Sequence, residues 1–282
     1  MKLALLGIAI NAVLAVVKIL AGYYGHAYAL IADGIESTLD IAGSFIIWGG
    51  LKLAAKPPDA DHPYGHGKAE PVASILVAVS VLVAAAGLAA QSVKEIVTPH
   101  HAPAPFTLIV LVAVVIIKES LYRIVMWRGV KAGSTAIKTE AGHHRADAII
   151  SLAAFIGIGI ALMGGKGWEQ ADDWAALFAC GLIAYNGVVL IKPGLSEIMD
   201  TAPPKGVEDD VRRAASSVPG VENIERCRIR KMGIEFYVDL HIWVDGDIPV
   251  SEGHRIAHEV KDVVRQSNPL VADVLVHVEP KR

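Results

Sequence analysis

Six long apolar runs, near 3–24, 29–53, 72–96, 105–127, 145–163 and 174–195, dominate the first two thirds of the chain. Each is about the 20 residues that a helix needs to cross a hydrocarbon core, so the pattern predicts an all-α six-helix transmembrane bundle. From Ala202 onward acidic and basic residues alternate with apolar ones, as in a water-soluble domain. Pro203-Pro204 ends the apolar part, and a charged helix is predicted at 205–217. Pro219-Gly220 then turns the chain into a strand over Val221 to Lys231, and Gly233 marks a hairpin. Phe236 to Val244 alternates with period two as a half-buried strand does, Pro249 to Gln266 reads as an amphipathic helix, and Val271 to Val278 as a last strand. The order is αββαβ, a small α+β domain. The expected division is a membrane-spanning part, 1–200, followed by a soluble part, 201–282.

Composition agrees. Hydrophobic residues make up 53% of the chain and charged ones 20%, and mean hydropathy is +0.45, as expected of a membrane protein with a soluble piece. The formal charge of −3 gives no footing for a nucleic-acid partner. Cys180 lies in an apolar run and Cys227 in the polar tail, which argues against a disulfide and leaves no Cys-based metal motif. The opening Met1-Lys2 and its apolar run lack a small-residue cleavage site, so a retained first span is expected. Lys52, Lys56 and Lys68 follow the second run, and Arg123, Arg128, Lys131 and Lys138 follow the fourth, while the intervening turns carry almost no basic residue. That asymmetry predicts that both termini are cytoplasmic; a multi-pass protein of the plasma (inner) membrane is expected.

The second run is interrupted by Asp33, Glu36 and Asp40. An ionisable residue at membrane depth costs at least about 2.5 kcal/mol, so these carboxylates need a cation, a proton or a cavity to face. Glu36 and Asp40 are spaced i, i+4 and share a helical face, as do His143 and Asp147 at the head of the fifth run. Two such helices can converge on one divalent cation with three carboxylates and an imidazole as ligands. The same charges would also suit helix ends near the headgroups. His144, three residues before Asp147, is the rival of His143.

The loop Asp59-Ala60-Asp61-His62-Pro63-Tyr64-Gly65-His66-Gly67-Lys68-Ala69-Glu70 resembles the signature of the cation diffusion facilitator family. With the carboxylate pair, the H-x-x-x-D of the fifth run and the αββαβ tail, the resemblance covers essentially the whole chain. It implies a homodimeric, proton-coupled antiporter in the lipid bilayer that exports divalent metal, most often Zn²⁺, and whose soluble tails form a metallochaperone-like dimer interface. By position it implies a transport site of Glu36, Asp40, His143 and Asp147. A loop site of Asp59, His62 and His66 follows, and a regulatory tail cluster of His241, His254, His277 and Glu279, which His258 could join. Lys68 matches the lysine that pairs with the aspartate before the tail, here Asp200. Glu36 stands where zinc members usually have Asp or His, which leaves Fe²⁺ and Mn²⁺ open as cargo. Read without the family, the loop is also a set of tight turns, and the tail histidines are ordinary surface residues.

Two other function classes were considered. An intramembrane metalloenzyme would need a motif such as H-E-x-x-H, which is absent, and no phosphate-binding G-x-x-x-x-G-K run supports ATP-driven pumping. A non-transporting metal sensor would leave the carboxylates of the second run without a purpose.

Overall fold

The computed structural model describes residues 2–97, 103–131, 135–164, 167–168 and 170–281, with side chains described outside 2–8, 128–144 and 146. Helices α1 (Lys2–Gly25), α2 (Tyr28–Ala54), α3 (Ala69–Val97), α4 (Phe106–Lys131), α5 (Thr135–Gly164) and α6 (Ala171–Ile198) precede α7 (Lys205–Ser216), β1 (Asn223–Met232), β2 (Glu235–Val244), α8 (Val250–Ser267) and β3 (Val271–Pro280). Among the described residues, α3, the Asp147–Gly164 part of α5, and α6 are long and apolar enough to cross a membrane. In α2 and α4 the apolar sequence is broken by Asp33, Glu36 and Asp40 and by Lys118, Glu119 and Arg123. Helix α5 starts at Thr135, ten residues before the predicted span at 145. The added turns are polar helix formers, and hydropathy marks where a helix meets lipid rather than where it begins.

The chain forms two compact units, Met1–Ile46 with Leu76–Ile191, and Ile47–Ile75 with Lys192–Arg282. In the first, Ala27, Ala29, Leu30, Leu111, Ala154, Ile158 and Ala176 form a core shared by α2, α4, α5 and α6. Small residues let the helices close on one another. A Cβ on Gly34 would stand 2.7 Å from Ile19 Cγ1 and 3.1 Å from Lys18 Cβ, so α1 crosses α2 at this glycine. The turn before α2 is a Schellman cap: Ala27 N–H donates to Gly22 O and His26, at φ +50°, to Tyr23 O. The first backbone N–H groups of α2 donate to one carboxylate, Tyr28 N to Asp172 Oδ2 at 2.7 Å and Ala29 N to Asp172 Oδ1 at 3.2 Å, where the helix dipole favours an anion.

In the second unit the sheet has the order β1-β2-β3, with β1 antiparallel and β3 parallel to β2. The α8 crossover makes the parallel pairing possible. Phe236, Val238, Leu240, Ile242 and Val244 of β2 point into a core completed by Val211 and Ala215 of α7 and Ile256, Val260 and Val264 of α8. Tyr237, Asp239, His241 and Trp243 take the opposite face, as period two requires. Helix α6 also ends in a Schellman cap, Thr201 N to Ser196 O and Asp200 N to Glu197 O, with Asp200 at φ +54°. Asp tolerates that conformation, and here its side chain meets Lys68 Nζ at 3.0 Å, the pair implied by the resemblance. The pair is well exposed, so its net worth is small.

The hairpin turn between β1 and β2 packs against the signature loop. A Cβ on Gly67 would stand 2.7 Å from Met232 O, and one on Gly233, at φ +64°, 3.1 Å from Gly67 O. Glu197 accepts from Gly233 N at 2.9 Å and from Lys231 Nζ at 2.8 Å, and Tyr237 Oη donates to Tyr64 O at 3.2 Å. Gly67→Ala should therefore lower the thermal unfolding midpoint of the full-length protein in detergent, at a cost of about 1–3 kcal/mol. Gly49→Ala, where nothing lies within 4 Å of a built Cβ, should leave that midpoint unchanged or raise it.

Candidate metal centres

In the first unit, Glu36 and Asp40 are half-buried one turn apart on α2, and Asp147 is buried on α5. Glu36 lies in the electrostatic field of Asp40, Asp33 and Asp147, and in that of Lys18. His143 falls on α5, but its side chain and that of its rival His144 lie outside the described residues. Among the described residues the three carboxylates are not gathered within 4.8 Å of one another, as the two clusters below are. Asp147 Oδ2 is held by Lys118 Nζ at 2.6 Å, with Lys118 only 1% exposed. The same ammonium donates to Asn11 Oδ1 on α1 at 3.1 Å.

Asp33 sits in a separate closed network. Its Oδ1 accepts from Lys18 Nζ at 2.7 Å and its Oδ2 from Ser151 Oγ at 2.6 Å, while Lys18 also reaches Ser37 Oγ at 3.2 Å. Both Asp33 oxygens are thus engaged by groups from α1 and α5. Sequence reading assigned no role to Lys18 or Lys118. The available signal was a lysine inside each of two otherwise apolar runs.

The signature loop gathers Asp59, His62 and His66, whose donor atoms all lie within 4.8 Å of one another. Asp59 Oδ1 stands 3.1 Å from His62 Nδ1, and Oδ2 stands 3.4 Å from His66 Nε2. The loop shapes this cluster: Asp59 Oδ1 also accepts from the N–H groups of Asp61 and His62, and Gly65 at φ +82° turns the chain back. His66 Nδ1 is buried without a hydrogen-bond partner. The backbone N–H of His62, and after it the His62 imidazole, hold the Asp59 carboxyl below its ordinary range, so it is ready as an anionic donor.

In the tail, His241 on β2 is paired in register with His277 on β3, and Glu279 follows two residues later on the same face. Glu279 Oε1 lies 2.7 Å from His241 Nδ1 and 3.6 Å from His277 Nε2. Two imidazoles and a carboxylate suit a divalent transition metal. His254 is not in this group; on α8 its ring pairs with that of His258, centroids 4.5 Å apart, because a helix places i and i+4 together. Glu225, which sequence reading did not single out, lies near the Glu279 carboxyl at a bulge between Ile224 and Arg226. Periodicity does not reveal a bulge. The hydrogen bond from His241 holds Glu279 below the usual carboxylate range. Burial pushes the Cys227 thiol up to about 11, so no thiolate competes as a donor at neutral pH.

Carboxylates inside an apolar helix bundle, with imidazole and carboxylate clusters in the second unit, suit a membrane carrier for cations. The chain belongs to the cation efflux family: residues 4–199 match the cation efflux transmembrane domain and residues 203–281 the cation efflux protein cytoplasmic domain. Proteins of this family are transporters rather than enzymes. The manganese efflux system protein MneP of Bacillus subtilis is 30% identical over 283 residues, spanning 99% of this chain and 95% of that protein. The cation-efflux pump FieF of Citrobacter koseri is 26% identical over 275 residues, with 95% and 88% covered. The magnetosome protein MamM of Magnetospirillum gryphiswaldense is 30% identical over 260 residues, with 92% and 81% covered.

For both depressed carboxylates, Asp59 and Glu279, the stabilisation is complete above the ordinary carboxylate pKa and is lost as the pH falls through the lowered folded-state value. Glu279→Ala and His277→Ala should each lose one equivalent of bound Zn²⁺ per chain in the full-length protein at neutral pH, measured by metal analysis after dialysis. His254→Ala should retain that equivalent.

Proposed function

We propose that this protein exports divalent first-row metal from the cytoplasm in exchange for protons, with Glu36, Asp40, His143 and Asp147 as the transport ligands. The observation that supports the reading best is Glu36, half-buried on α2 in the field of Asp40 on its own helix and of Asp147 on α5. Carboxylates so placed in a membrane need a cation. Three oxygen donors to one nitrogen make a hard set, which favours Mn²⁺ and Fe²⁺ over a rigid tetrahedral zinc site. The name of the relative MneP points the same way. Zn²⁺ is the second reading, supported by the imidazoles of the loop and tail clusters, which we assign to regulatory metal.

Ligands must shed protons to take metal, so protons and metal compete for the same oxygens and imidazole, and exchange follows without a separate proton channel. Residues 1–200 serve as the transport domain of a plasma-membrane protein with both termini cytoplasmic, and residues 201–282 as the dimerisation domain of a homodimer. In that dimer His254 and His258 would meet metal together with groups of the second copy.

Proteoliposomes with an imposed pH gradient provide the test. Asp147→Ala should abolish uptake of Mn²⁺, Fe²⁺ and Zn²⁺ while the protein stays folded, and wild-type flux in that variant would remove Asp147 from the site. Glu has one methylene more than Asp and a further torsion, so it adapts to larger coordination numbers. Glu36→Asp should therefore raise the ratio of Zn²⁺ to Mn²⁺ transport, and Glu36→His should raise it further. Unchanged ratios in both variants would show that Glu36 is not a ligand.

A further inference from the structure

The two buried lysines of the first unit are not equivalent. Lys18 belongs to a saturated network, since both oxygens of Asp33 are engaged and Ser37 takes a further N–H of the ammonium. Lys118 likewise holds a charged acceptor, Asp147 Oδ2 at 2.6 Å, and a neutral one, Asn11 Oδ1 at 3.1 Å, but these lie on different helices, α5 and α1, whereas both acceptors of Lys18 lie on α2. An ammonium that already holds a second acceptor can leave the carboxylate without being stranded in an apolar interior.

We propose that Lys118 is a tethered internal cation that occupies Asp147 in the empty carrier and is displaced onto Asn11 by the arriving divalent ion. It is a positioning residue: it touches a ligand rather than the metal, and it rests on the reading of Asp147 as a transport ligand. Asp147 is thereby withheld from Glu36 and Asp40 until a doubly charged competitor takes it, which is consistent with the three carboxylates not being gathered. The same exchange works in reverse at release, where the returning ammonium pushes the metal off Asp147 and prevents the carrier from becoming a metal trap. Lys118 thus weakens binding and speeds turnover.

Initial Mn²⁺ transport rates of the full-length protein in proteoliposomes, at one fixed pH gradient, separate KM from kcat. If Asp147 is free of Lys118 about a tenth of the time, Lys118→Met should lower KM about tenfold, with kcat falling because release slows. Lys118→Arg, which keeps a cation with a reach similar to lysine, should restore both towards wild type. Asn11→Leu removes the second acceptor, leaves the ammonium on Asp147, and should raise KM. A Lys118→Met protein that is monodisperse and has an unchanged or higher KM overturns the proposal, as does an arginine variant indistinguishable from the methionine one. Should Lys118→Met fail to fold, Asn11→Leu decides alone, and an unchanged or lower KM there overturns the proposal. Failure of the underlying reading looks different: Asp147→Ala would then transport Mn²⁺ at the wild-type rate.

Discussion

Holding charge inside an apolar bundle is the constraint on which the rest of the structure depends. Asp33 and Asp147 are each met by a lysine that is essentially inaccessible to solvent. Removing one partner of such a pair costs about 3–5 kcal/mol, because the other is left buried and uncompensated. The pairs therefore do more than offset a penalty: they fix which helices must be neighbours. Lys18 reaches Asp33 because Gly34 lets α1 and α2 approach closely, and Ser151 brings α5 to the same carboxylate. Lys118 joins α4 to Asp147 on α5 and, through Asn11, to α1.

The soluble-side unit answers a different problem, that of connecting a metal-shaped loop to a folded domain. Gly67 and Gly233 bring two backbones together where no side chain fits. Glu197, at the end of α6, holds both the turn N–H of Gly233 and Lys231. The signature loop, the hairpin and the last turn of α6 consequently form one packed region, with Asp59, His62 and His66 at its edge. In the sheet, the parallel pairing of β2 with β3 sets His241 beside His277, and period two adds Glu279. Metal-binding geometry here follows from strand register.

Much of this was legible in the residues. The αββαβ order of the tail and the helical character of the six apolar runs follow from local rules, hydropathy and period two, whereas the grouping of Asp59, His62 and His66 was implied by the family resemblance of the loop. Helix α5 beginning at Thr135 departs from the reading because hydropathy reports lipid contact, not hydrogen bonding. What the sequence could not state was pairing at long range. That Lys18 belongs to Asp33 and Lys118 to Asp147, and that Glu225 bulges towards Glu279, are outcomes of helix crossing and strand register. The sequence by itself determined which charges enter the membrane, since that is a matter of residue type and hydropathy. Only the tertiary structure decided which charge neutralises which, because electrostatic pairing depends on distances that no sequence separation encodes.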